Sequence, residues 1–143
     1  MIAGMDRDSV AYNMPLAVEL DGTLDLERLN GAFGALIEKH EGLRTAFRTV
    51  GDEAVQVIRE PGDTVWAVEE YWVNGSNDWH EGIYDHERIY NHERIYNHER
   101  IYNIIHGKFI RPFDLTRAPL FRAGVVTLGQ NRYLLLVDMH HII

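Results

Sequence analysis

The chain has 143 residues, 45% hydrophobic and 25% charged, the balance of one folded domain with a real core rather than two. Its formal net charge is −8, and without a basic cluster it has nothing to hold nucleic acid or an anionic membrane, so neither is an expected partner. It has no cysteine, which excludes disulfides and thiolate metal sites, and with no signal-like stretch at its start and no aliphatic run longer than Leu134 to Val137, a cytoplasmic protein is expected.

Met14 to Leu20 alternates Leu16, Val18 and Leu20 against Pro15, Ala17 and Glu19, which predicts a strand. Asp21-Gly22-Thr23 turns the chain, and Asp25 is placed to cap a helix with Glu27 in its first turn. That helix runs to about His40, with Leu26, Leu29, Phe33, Leu36 and Ile37 on one stripe. Gly31 and Gly34 cost about 1 kcal/mol each relative to Ala, which suggests close packing there, and Gly42 is the expected terminator. Thr45 to Val50 and Glu53 to Arg59 form a hairpin around Gly51-Asp52, Pro61-Gly62 breaks the chain, and Thr64 to Val73 is a third strand candidate. Asn74 to Asp78 reads as loop. Phe121 to Leu128 and Arg132 to Met139 form another hairpin across Gly129-Gln130-Asn131. Strands interleaved with a long helix predict an α/β sandwich whose mixed sheet has helices on one side.

Between these halves, residues 83–103 read IYDHER-IYNHER-IYNHER-IYN. A period of six advances a helix by about 240°, so Ile83, Ile89 and Ile95 point to different sides. As a strand, each face would mix apolar and charged groups. Neither pattern buries a face, so an insertion is expected, as a marginal helix or mobile loop peripheral to the sheet. His86, His92 and His98 beside Glu87, Glu93 and Glu99 invite a metal reading that the spacing refuses, because two helical histidine ligands need i and i+4. No metal is expected.

Three further positions carry chemistry. His40 falls on the apolar stripe of the first helix, where a lone histidine reads more readily as a satisfied core or helix-end group than as a ligand. Arg44 is either a surface cation or the partner of a buried carboxylate. Met139-His140-His141 ends the last strand, and alternation sends Tyr133, Leu135, Val137, Met139 and His141 to one face and Leu134, Leu136, Asp138 and His140 to the other. Two adjacent histidines then have different tasks, and one at the end of an apolar strand suits general base work.

Taken together these stretches resemble one family. Ala11-Tyr12-Asn13-Met14-Pro15-Leu16 with Leu20-Asp21-Gly22-Thr23-Leu24-Asp25 is similar to the opening of a nonribosomal peptide synthetase condensation domain. Lys39-His40-Glu41-Gly42-Leu43-Arg44-Thr45-Ala46-Phe47 resembles that family's RHExLRTxF motif, with Lys for the first Arg. Pro112-Phe113-Asp114-Leu115 and Ala118-Pro119-Leu120-Phe121-Arg122 resemble its PFDL and APLFR segments, and Met139-His140-His141-Ile142-Ile143 resembles the start of its HHxxxDG motif.

The resemblance implies a two-lobed, chloramphenicol acetyltransferase-like sandwich of which residues 1–143 are a partial N-terminal lobe carrying the 83–103 insertion. It implies a tunnel between lobes, entered by the phosphopantetheine arms of carrier proteins, in which an acceptor amine attacks a donor thioester. No directly bound cofactor is expected. The partners implied are peptidyl or acyl carrier domains and a C-terminal lobe. By the same resemblance His141 matches the catalytic histidine, His140 the supporting one, and Arg44 an arginine that pairs with the motif's aspartate. That aspartate does not occur in this chain, nor does the family's earliest Gln/Arg/Trp-bearing motif, so the chain alone is expected to be inactive. The alternatives are a non-catalytic remnant or carrier-docking lobe, and another HHxxxDG acyltransferase such as a wax-ester-synthase relative, which the RHExLRT-like and PFDL-like stretches disfavour.

Overall fold

Leu16–Asp21 is the first strand (β1) of the computed structural model, which describes residues 9–73 and 98–143. The Asp25 carboxylate accepts from the Arg28 N–H at 3.0 Å, satisfying a free donor at the start of helix α1, Leu26–Lys39. The helix stops because His40 turns extended, at φ −112° and ψ 111°, while its N–H still donates to the Leu36 carbonyl. Gly42 is therefore not the terminator; it lies within a 3-10 turn, Glu41–Arg44. Thr45–Val50 (β2) and Glu53–Ile58 (β3) pair as the expected hairpin, turning at Gly51 with φ 63°. The next strand (β4) is shorter than expected, Glu69–Trp72; ahead of it, Asn30 on α1 takes the Val68 N–H at 2.7 Å. Residues 98–104 are helical (α2) and run into a π-helical turn, Ile105–Phe109. Phe121–Gly129 (β5) and Arg132–Met139 (β6) complete the chain.

Four strands form one sheet in the order β1-β6-β5-β4. β4 runs parallel to β5 and the other pairs are antiparallel, giving the mixed sheet expected of the α/β class. On one face Phe33 and Ile37 of α1, with Trp66, pack on Phe121, Ala123, Val137 and Met139. On the other, Ile101, Ile104 and Phe109 pack on Val126, Leu134 and Leu136. Helical segments thus lie on both sides, not on one as the sequence pattern predicts. The reason is visible in Leu134 to Val137: a run of four aliphatic residues supplies apolar groups to both faces, and each face needs cover.

Three local expectations change with this packing. An added Cβ at Gly31 or Gly34 meets nothing within 4 Å, so these glycines do not mark a close approach. Within the expected stripe of α1, Leu36 is exposed while Ile37 is buried. On β1, Leu16 and Val18 stay exposed, and among the described residues β1 is the edge of the sheet. The close approach is at Gly124, where a Cβ would lie 3.0 Å from Phe109 Cε2 and 3.2 Å from Tyr71 Cε2. Phe109 is buried in the layer covering the sheet and Tyr71 belongs to β4, so Gly124→Ala is expected to cost about 1–3 kcal/mol by overpacking. A shift of the urea midpoint at unchanged slope would register it, and an unchanged midpoint would mean that Phe109 moves aside freely.

Of the repeat, the stretch through residue 97 lies outside the described residues, as does the loop expected at Asn74 to Asp78. The final residues of the repeat belong to α2. There Ile101 joins the core and Arg100 donates to the Val73 carbonyl at 2.7 Å, while His98 and Tyr102 are exposed. No helix among the described residues is long and apolar enough to cross a membrane.

Candidate functional site

β6 ends in a polar cluster set into an apolar sheet. Asp138 is fully buried and His140 is 5% exposed, whereas His141 is exposed. Two residues apart on a strand, Asp138 and His140 share a face. The ladder continues one pair past Met139, through an antiparallel bridge between Asn13 and His140. Met14 N–H donates to the Met139 carbonyl and His141 N–H to the Tyr12 carbonyl, each at 2.8 Å. These flanking bonds make Asn13 and His140 a non-hydrogen-bonded pair, the closer kind, with neighbouring side chains.

The His140 imidazole sits between two rings, its centroid 5.8 Å from Tyr12 and 6.2 Å from Phe113. Its Nδ1 accepts from the Ile142 N–H at 3.2 Å, so the neutral ring carries its proton on Nε2. Burial, reinforced by the neighbouring charge of His141, pulls the His140 pKa below the ordinary histidine value. His140 is therefore a neutral, fixed group. His141 follows it in a turn with its side chain open to solvent.

Beneath the histidines, Asp138 Oδ2 accepts from Asn13 Nδ2 at 2.7 Å and lies 3.7 Å from an Arg122 terminal nitrogen. Arg122 also donates to the carbonyls of Phe109 at 3.0 Å, Arg111 at 2.7 Å and Pro112 at 3.2 Å. Its guanidinium lies 3.7 Å from the Phe113 ring centroid, so Phe113 touches a cation and His140 at once. Burial raises the Asp138 carboxyl above its ordinary pKa, against the opposing pull of Asn13 and Arg122. Burial likewise lowers Arg122 to about 10, helped by the charge of Arg111. Both shifts favour the neutral forms, so desolvation outweighs the pair's attraction, as a 3.7 Å separation allows. Further out, Arg111 pairs with Glu69, which also accepts from the Tyr71 hydroxyl. Burial raises Glu69, yet those two partners together bring it below the ordinary range. Burial and Glu69 push the Tyr71 hydroxyl up to about 12.

Arg44 is 6% exposed. It donates from Nε to the Ile37 carbonyl at 3.1 Å and from a terminal nitrogen to the Arg59 carbonyl. Among the described residues it makes no ion pair, and it stands apart from the histidine pair's polar network. A cavity of about 310 Å³ opens beside it, lined by Asn30, Glu38, Thr64 and Trp66 among others. Of the core and helix-end readings of His40, the structure shows the second: it caps the end of α1 and is exposed.

Sequence patterns single out the two histidines and Arg44 but pass over Asn13, Arg122 and Asp138. A signal exists for one of them. Asp138 is an acidic residue on the inward face of an aliphatic strand, and such a group needs a buried partner. The identity of that partner depends on register, which sets Arg122 opposite Asp138.

A profile of the condensation domain matches residues 1–143. The chain is 39% identical to tyrocidine synthase 2 of Brevibacillus parabrevis over 97% of its own length and 3% of that protein's. It is 35% identical to bacitracin synthase 2 of Bacillus licheniformis, again over 97% of its length, and spans 4% of that protein. Among solved structures, the first condensation domain of the calcium-dependent antibiotic synthetase, in complex with a substrate analogue, superposes with a TM-score of 0.64 at 22% identity, over 96% of this chain and 29% of that one. The starter condensation domain of rhizomide synthetase gives 0.64 at 18% identity, over 94% and 28%.

Proposed function

The chain belongs to the condensation-domain family, and from that premise we propose that it is the N-terminal part of a domain joining two carrier-bound substrates by an amide bond. The acceptor amine nitrogen attacks the carbonyl carbon of an acyl or peptidyl thioester, the C–S bond breaks, and the amine proton is passed on as the thiol leaves. His141 is the group beside that amine able to take the proton, and His140 supports it. The carrier arms present both substrates through phosphopantetheine, so the chain itself holds no cofactor.

One observation carries this reading: adjacent histidines with opposite environments. His140 is enclosed, neutral and hydrogen-bonded through Nδ1, which suits a structural group. His141 is exposed on a backbone held by a ladder bond, which suits a group that must meet substrate at a fixed point. Arg44 supports the reading in a second way. Its buried guanidinium meets only carbonyls among the described residues and borders a cavity, and Ile143 packs in the same cluster as Ile37 and Leu43. A motif aspartate following Ile143 would have Arg44 within its neighbourhood.

Amide formation also needs two arms held together, because much of the rate gain in such reactions comes from orientation. This chain spans under a third of the solved condensation domains it matches, and on this reading it supplies one wall of the tunnel. With loaded donor and acceptor carriers, the intact domain containing this lobe is expected to form amide product, and the isolated chain none above background. Robust product from the isolated chain, or none from the intact domain, would overturn the reading. The latter result would leave a carrier-docking lobe as the alternative.

A further inference from the structure

The histidine pair lies just past the last regular residue of β6. What holds it there is a short strap, Tyr12 to Met14, and one side chain in that strap does more than pair. Asn13 Nδ2 donates to Asp138 Oδ2 at 2.7 Å and to the Arg111 carbonyl at 3.0 Å. Through these two bonds one amide joins three segments distant in sequence: the strap, the end of β6, and the 109–113 turn that carries Phe113 against His140. Arg122 completes the closure from β5, gripping the Arg111 carbonyl and facing Asp138.

We propose that Asn13 is the positioning residue of the histidine pair, locking the strap to β6 so that the backbone of His140 and His141 keeps one geometry. This deepens, and rests on, the reading that His141 meets the reacting amine. A general base displaced by a fraction of its contact distance loses most of its effect, and a displacement near 1 Å can cost about 10²-fold. Asn is suited to the task because its amide supplies two donors in one plane. An aspartate there would present a second carboxylate to Asp138, and an alanine would remove the side-chain hydrogen bond that Asp138 accepts from the strap.

Two measurements test this, one of them independent of catalysis. In the chain as it stands, Asn13→Ala should raise hydrogen exchange of the His141 amide at least about tenfold while amides in the middle of the β5–β6 hairpin keep their protection. Asn13→Asp should do the same or more. The exchanged pair Asn13→Asp with Asp138→Asn restores the carboxylate–amide bond to β6 but not the bond to the Arg111 carbonyl, and should recover part of the protection. In the intact domain, Asn13→Ala should lower kcat by about 10–10²-fold with KM for both carriers within about twofold, and the exchanged pair should recover part of it. Unchanged His141 exchange in a folded Asn13→Ala chain would overturn the proposal. So would a loss spread evenly over the whole hairpin, which marks general destabilisation, or a kcat equal to that of the parent. A parent domain that makes no amide condemns the functional reading alone, and the exchange comparison then still decides the role of Asn13.

Discussion

Replacing Arg122 with methionine is expected to cost the folded chain about 3–5 kcal/mol at neutral pH, the range for removing one member of a buried ion pair. The arginine is 7% exposed and its partner Asp138 fully buried, so the remaining carboxylate could not recruit bulk water. Methionine fills much of the same volume, which separates the lost charge from a cavity. Three carbonyls in the 109–113 turn lose their donor as well. Arg111→Met, at a half-exposed pair, should cost about 1 kcal/mol or less.

The pH dependence has a definite sign. Burial already raises the Asp138 carboxyl in the folded chain, and loss of Arg122 removes one of the influences that lower it. A carboxyl raised on folding contributes stability that is full below its unfolded pKa and is lost as pH rises through the folded one. The deficit of Arg122→Met should therefore shrink as pH falls toward about 4, where the carboxyl protonates in both states. Adding Asp138→Leu should recover much of the loss at neutral pH, since an apolar pair can replace a buried ionic one. Urea unfolding at two pH values measures all of this. A neutral-pH loss under about 1 kcal/mol would mean that Asp138 is already protonated, or that water reaches it.

How far the sequence reveals this arrangement follows from what periodicity encodes. Strand alternation locates β5 and β6, and the cap at Asp25 locates α1, because such signals are local. Alternation also groups Asp138 with His140 on one face. It cannot say which cation answers the carboxylate, because that depends on the register of β5 against β6. Asn13 is less legible still: nothing local distinguishes it from a turn residue, and its two partners are 98 and 125 positions away. Pairing Arg44 with a carboxylate is a motif-level expectation, and among the described residues the buried ionic pair is instead Arg122 with Asp138. The short β4 and the helical end of the repeat are hidden for a similar reason. Asn30 reaches Val68 across the fold, and Ile101 finds its neighbours only once β5 and β6 exist.

The two histidines should separate cleanly in function. In the intact domain, His141→Ala is expected to lower the rate of amide formation by about 10²–10⁴-fold, the usual contribution of a positioned proton acceptor. Because only the exposed histidine is proposed to meet the amine, the loss should fall on kcat, with carrier affinity little changed. The pH profile carries the stronger signature. A general base accepts a proton only in its unprotonated form, so the parent domain should gain rate with rising pH, and His141→Ala should lose this limb. His140 is expected to behave otherwise. Its ring is enclosed by Tyr12 and Phe113 and its Nδ1 is already occupied, so His140→Phe should mainly disturb packing, lowering stability and slowing the reaction without removing the pH limb. Full activity in His141→Ala would show that orientation of the two arms, not this imidazole, carries the rate. A pH limb that vanished with His140→Phe and survived His141→Ala would exchange the two roles.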